Sequence, residues 1–176
     1  MSLDTKLFFK LNNFAHKSKR GDFLIMFFGS YIAYPLAVAF PLYLFLVQTP
    51  MREGIILSVS ALIAGLIARL IFGSSIRFFH PVPRPPVTHA LKPLINLKSP
   101  SFPSGHALFF FALSTFVLFF YPLLGVIFIL ITIGIATARV MAGVHYPSDM
   151  LAGCLIGIVS AYLSFLYVLP FLISTF

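Results

Sequence analysis

Residues 103–121 read PSGHALFFFALSTFVLFFY. From Ala107 to Tyr121 nothing is charged, and the run opens on a proline, a serine, a glycine and a histidine. A bilayer core takes roughly 20 apolar residues of helix. The stretch therefore reads as a membrane span with chemistry at its head. Ser104 is a natural N-cap, and the first N–H groups of a helix make a ready anion site. Gly105 lets a bound oxyanion come close to the backbone.

The rest of the chain has the same character. Its 176 residues are 60% hydrophobic and 9% charged, with a mean hydropathy of +1.02. Soluble domains carry about 25% charged residues. Four more apolar segments qualify as spans: 23–47, with Pro35 and Pro41 as kinks, then 54–76, 123–140 and 148–172. Gln48–Glu53 reads as a turn, and Tyr121-Pro122 as a tighter one. Residues 3–17 place Leu3, Leu7, Leu11 and Phe14 on one helical face and Lys6, Lys10 and Lys17 elsewhere, too short to span. No signal-peptide core and cleavage site follow them. The expectation is an all-α integral membrane protein: an amphipathic interfacial helix over 1–20 and a helical bundle of five or six transmembrane helices over 21–176, five of them read here. Residues 81–103 hold seven of the thirteen prolines and read as a stiff, extended loop.

Three motifs lie at span ends: Arg77-x6-Arg84-Pro85, Pro103-Ser104-Gly105-His106 and Arg139-x5-His145-x3-Asp149. The first leaves span two, the second opens span three and the third joins spans four and five. Alternate crossings put all three on one side of the membrane, which predicts a single site. Its inventory is three guanidiniums, two imidazoles, a hydroxyl and a carboxylate. Arginines give bidentate, permanently charged contacts to phosphate, and phosphoryl transfer depends mainly on positioning and electrostatic stabilisation. Asp149 suits helix capping, and it can also fix the tautomer of His145 and aim the other nitrogen at phosphorus. His106 stands where it can protonate a leaving oxygen.

Composition excludes several alternatives. Of four acidic residues, Asp4, Asp22 and Glu53 fall in the N-terminal region and a turn, leaving Asp149 near the motifs. Metal-dependent phosphate chemistry needs more converging carboxylates, so neither metal nor cofactor is expected. Cys154 sits in an apolar run with no arginine loop after it and reads as a small buried residue. The net charge of +8 points to an anionic lipid surface rather than nucleic acid. Loop charges alone put the site side in the cytoplasm. Arg69, inside span two, reads either as functional or as snorkelling toward the interface. His80 and His89 read as solvated or as head-group contacts. Gly153-x3-Gly157 reads as close helix packing.

The three motifs together resemble the signature of the type 2 phosphatidic acid phosphatase superfamily, over roughly residues 54–170. Arg77 stands where that family usually has lysine, and its membrane members commonly have six spans. The resemblance implies a bacterial inner-membrane lipid phosphatase, with its site toward the periplasm or exterior. It implies that His145 is the nucleophile of a phosphohistidine, that Asp149 orients it, and that His106 is acid and then base. It implies that Arg77, Arg84, Ser104, Gly105 and Arg139 hold the phosphate. The expected partner is an anionic phospholipid or lipid-linked phosphate: undecaprenyl diphosphate, phosphatidylglycerophosphate, phosphatidate or lipid A 1-phosphate. A lipid phosphotransferase using the same phosphohistidine, or a non-enzymatic membrane transporter or lipid-binding protein, is the alternative. The vanadium haloperoxidases that share this pocket are soluble, unlike this chain.

Overall fold

The computed structural model describes residues 1–47 and 50–176, with only the backbone of Val47. Among these residues every regular element is helical. Helix α1 is Leu3–Asn12 and α2 is Lys19–Met26, which runs on through a π-turn, Phe27–Tyr31, to α3, Ala33–Val47. The two halves of this segment meet at 44°. The bend lies just before Pro35, whose ring and missing N–H oppose the carbonyl four residues back, at Tyr31. Pro41 stays inside α3, and its carbonyl accepts Ser58 Oγ at 2.7 Å. Gln48 and Thr49 of the expected turn lie outside the described residues, while Met51–Glu53 already belong to the next helix.

That helix is continuous from Met51 to Phe79: α4 (Met51–Leu66), a π-turn (Ile67–Phe72) and α5 (Gly73–Phe79). The proline-rich loop is extended apart from one short helix, α6 (Pro85–His89). Then come α7 (Gly105–Phe120), α8 (Pro122–Met141) and a helix from Pro147 to Thr175 formed of α9 (Pro147–Leu163), a π-turn (Ser164–Val168) and α10 (Leu169–Thr175). Among the described residues three helices are long and apolar enough to cross a membrane, and the bent α2–α3 pair passes the same criterion when its two halves are taken as one span.

Helix α7 is the axis of the bundle. A helix apolar all round must be surrounded, and every residue from Ala107 to Val117 is buried. It packs against α4, α8 and α9. Phe40 of α3 stacks on Phe128 of α8, with ring centroids 3.7 Å apart. Polar contacts cross the bundle too, including Ser114 to Thr132 at 3.0 Å and Ser164 Oγ to Ser60 O at 2.8 Å. The outward faces carry Leu123, Leu130, Leu151, Leu155 and Tyr162, all exposed, as lipid-facing surfaces do.

Gly153 and Gly157 let α9 lie directly on α7. A Cβ at Gly157 would sit 2.9 Å from both Ala112 N and Leu108 O, and one at Gly153 would sit 2.5 Å from Ala107 Cβ. Backbone cannot step aside, so Gly157→Val is expected to cost about 1–3 kcal/mol of stability. Gly134→Ala meets nothing within 4 Å and is expected to be neutral or stabilising by thermal unfolding in detergent. Equal effects from the two changes would contradict this packing.

Helix α1 docks at the site end. Phe8 is fully buried against Phe9, His89 and Tyr146 rings. His89 is therefore an aromatic packing partner rather than a solvated bystander. Asn12 Nδ2 donates to Met141 O at 2.9 Å, and Asp4 accepts from Ser148 N (2.9 Å) and Oγ (2.7 Å). Between them these contacts hold both ends of the α8–α9 loop that carries His145. Asp4 thus lies near the third motif after all, facing Ser148, and leaves Asp149 as the acid inside the site.

Candidate active site

The α7 N-terminus, the end of the Met51–Phe79 helix, the end of α8 and two loops converge on a cavity of about 250 Å³. Arg69, Arg77, Arg84, Gly105, His106, Arg139 and His145 line it, with Leu97, Ser99, Pro100 and Pro103 closing the loop side. Six of the eight sequence-predicted site residues meet here. The other two, Ser104 and Asp149, are buried immediately beneath.

His145 is 2% exposed and Asp149 1%. Imidazole Nδ1 lies 3.1 Å from Asp149 Oδ2. Asp149 Oδ2 also accepts Ser101 Oγ at 2.5 Å and Tyr146 N at 2.8 Å. Helix capping and histidine orientation, which the sequence offers as alternatives, are carried by one oxygen. With Nδ1–H donating to Asp149, Nε2 is left as an acceptor, 3.2 Å from Arg84 Nη1. Burial dominates the titration of His145 and pushes its pKa down to about 4, against the hydrogen bond to Asp149, which raises it. Burial therefore favours the neutral ring at neutral pH.

Arg84 is the keystone of the loops. Nε donates to Ser99 O at 2.7 Å, Nη1 to Val144 O at 2.6 Å, and Nη2 to Ser99 Oγ at 3.1 Å and Pro100 O at 3.2 Å. Burial lowers its pKa, partly offset by Asp149 and reinforced by Arg77. Arg77 donates to Pro103 O at 3.0 Å and to Arg69 O at 3.2 Å. Arg139 is 3% exposed. Its Nη1 reaches back to Gly29 O at 2.8 Å and Ser30 Oγ at 3.3 Å, while its buried Nε has no partner among the described residues. A buried, unpaired guanidinium donor is costly, and an oxyanion in the cavity would satisfy it.

Ser104 occupies the N-cap position of α7, but its side chain makes no capping bond. Its Oγ is buried and unpartnered among the described residues, and its backbone N donates to Asp149 O at 3.2 Å. A Cβ at Gly105 would come within 3.7 Å of Arg69 Nε and 3.8 Å of Arg77 Nη1, so the glycine keeps open the space between two cations. His106 opens α7 at the cavity wall, its ring 6.4 Å from that of Phe110.

Sequence reasoning missed Ser99 and Ser101, which hold Arg84 and Asp149. Neither belongs to a periodic pattern, and both look like loop filler. It also missed the carbonyl of Gly29 behind Arg139.

The PAP2 superfamily model matches residues 53–172. The chain belongs to the PAP2 superfamily, and it is a membrane lipid phosphatase by class. It is 29% identical over 142 residues to the bacitracin transport permease protein BcrC of Bacillus licheniformis, covering 81% of this chain and 69% of that protein. The crystal structure of Aquifex aeolicus LpxE matches with a TM-score of 0.74 and 28% identity, over 95% of this chain and 97% of that one. A PAP2 type phosphatidylglycerolphosphate phosphatase from Bacillus subtilis shares the fold, with a TM-score of 0.68, 17% identity and coverage of 95% and 87%.

Proposed function

We propose that this protein is a metal-independent phosphatase that removes phosphate from a lipid phosphate or diphosphate through a phosphohistidine at His145. The observation that carries this reading is the orientation of His145. Asp149 takes one ring nitrogen, and the other faces a cavity lined by guanidiniums.

In the first step His145 Nε2 attacks phosphorus, the bond from phosphorus to the leaving oxygen breaks, and His106 gives that oxygen its proton. In the second, His106 takes a proton from water, the water oxygen attacks phosphorus, and the phosphorus–nitrogen bond breaks to release phosphate. Arg77, Arg84, Arg139, Ser104 and the backbone at Gly105 hold the equatorial oxygens. Asp149 stabilises the imidazolium character that develops on His145.

The helices support five spans, counting the bent α2–α3 pair and the shorter apolar α7 as one each, with α1 lying in the interface beside the loops. The reading places the protein in a bacterial inner membrane with its cavity toward the periplasm. Candidate substrates are undecaprenyl diphosphate, phosphatidylglycerophosphate, phosphatidate and lipid A 1-phosphate. A phosphotransferase that passes the phosphoryl group to a second lipid would use the same first step.

Phosphate release from these four lipids by the purified protein in detergent and excess EDTA tests the proposal. Turnover of at least one lipid, undiminished by EDTA, is expected, because the donor set is arginine and histidine. An absolute magnesium requirement would overturn the mechanism. Release from none of the four lipids would contradict the proposed substrate class.

A further inference from the structure

Arg69 lies outside the three motifs, yet it lines the same cavity. The π-turn over Ile67–Phe72 brings it there. Gly73 N–H bonds to Ala68 O, five residues back, so one extra residue is wound into the helix. In a plain α-helix, residues eight apart would face about 80° away from each other; the extra residue reduces this to about 20°. Arg69 and Arg77 consequently share a face. Arg69 Nε and Arg77 Nη1 approach the same point above Gly105, at 3.7 and 3.8 Å. The backbone takes part as well: Arg69 O accepts from Arg77 Nη2 and lies 3.5 Å from Ser74 Oγ.

Two further observations separate Arg69 from the other arginines. Arg77, Arg84 and Arg139 each donate to backbone carbonyls. Arg69 is exposed, and its guanidinium has no hydrogen-bond partner among the described residues, so all its donors are open to a ligand. Its Cα also lies two turns, roughly 10–12 Å, nearer the apolar middle of the helix than that of Arg77. The side chain reaches the cavity from the side on which a substrate's lipid tail must lie. Whatever anion it holds stands between the scissile phosphorus and the tail.

The charge balance points the same way. Four guanidiniums face the cavity, and the carboxylate beneath it is committed to His145, Ser101 and Tyr146. A phosphomonoester brings about −2; three motif arginines already exceed that. We propose that Arg69 binds the second, lipid-proximal phosphate of a lipid diphosphate and so selects diphosphate over monophosphate substrates. This rests on the phosphatase reading above.

The test compares phosphate release from undecaprenyl diphosphate and undecaprenyl phosphate, which share one tail, by the full-length protein in detergent. Arg69→Ala is expected to lower kcat/KM for the diphosphate roughly 10- to 100-fold, the loss of a charge-assisted contact, and for the monophosphate by less than about threefold. Arg69→Lys should restore part of the loss on the diphosphate. Inorganic pyrophosphate should also inhibit the wild type more strongly than phosphate, with that preference lost in Arg69→Ala. Equal losses on both lipids, or no loss on either, would overturn the role of Arg69 while leaving the phosphatase reading intact. No pyrophosphate preference in the wild type would also overturn the role of Arg69, and only release from none of the four candidate lipids would overturn the phosphatase reading with it.

Discussion

Replacing His145 with alanine is expected to reduce phosphate release by roughly 10⁴-fold or more, the scale on which enzymes lose activity with their nucleophile. No second group in the cavity can take its place. His106 is on a different element, without a carboxylate to orient it, and Asp149 is shielded beneath the ring. The fold should survive, because the loop is held independently by Asp4, Asn12 and Arg84. The same histidine fixes one limb of the pH profile. Burial favours the neutral ring, so protonation, which blocks attack, is delayed until the pH falls toward about 4. The His145 limb of kcat/KM, which reports the free enzyme, should therefore lie near pH 4 and not near the ordinary histidine value of about 6.5. A limb at that ordinary value would mean that the ring is solvated in the working enzyme.

Arg84→Ala is the second large effect. One guanidinium binds the carbonyls of Ser99, Pro100 and Val144 and touches His145 Nε2. Its removal takes away a phosphate donor, worth roughly 10²–10³-fold by analogy with other oxyanion donors. It also leaves buried carbonyls unpaired, which costs about 1–3 kcal/mol for each stranded group. A loss of about 10³-fold in kcat/KM with a lowered Tm is expected. Arg84→Lys should recover little, because an ammonium cannot span the three carbonyls that the planar fork reaches. Full activity in the lysine variant would show that Arg84 acts as a point charge alone.

Much of the fold was legible because lipid imposes it. An apolar run near 20 residues has few options in a bilayer, so the helix starts read at Gly54, Gly105 and Ser148 differ from the observed ones by only a few residues. The convergence of the motif residues followed from counting crossings. What stayed hidden has a different physical origin. The π-turn at Ile67–Phe72 has no composition of its own, so nothing in the pattern said that Arg69 and Arg77 share a face. The partners of Arg84 and Arg139 are mostly backbone carbonyls, which every residue has. Asp4 and Asn12 act through contacts more than a hundred residues away in the chain, which no local pattern reveals. Ser104 fits the capping position by type, yet its hydroxyl is buried beneath the cavity and makes no capping bond.

The proposed mechanism turns on a covalent bond between His145 and the substrate's phosphorus. Rapid acid-free quenching of the enzyme with lipid carrying a radiolabelled terminal phosphate, followed by proteolysis and mass spectrometry, addresses it directly. The expected result is an acid-labile, base-stable label on His145 that forms and decays at the rate of turnover and is absent from His145→Ala. Turnover with no label on the protein, or a label on any other residue at the rate of turnover, would contradict it.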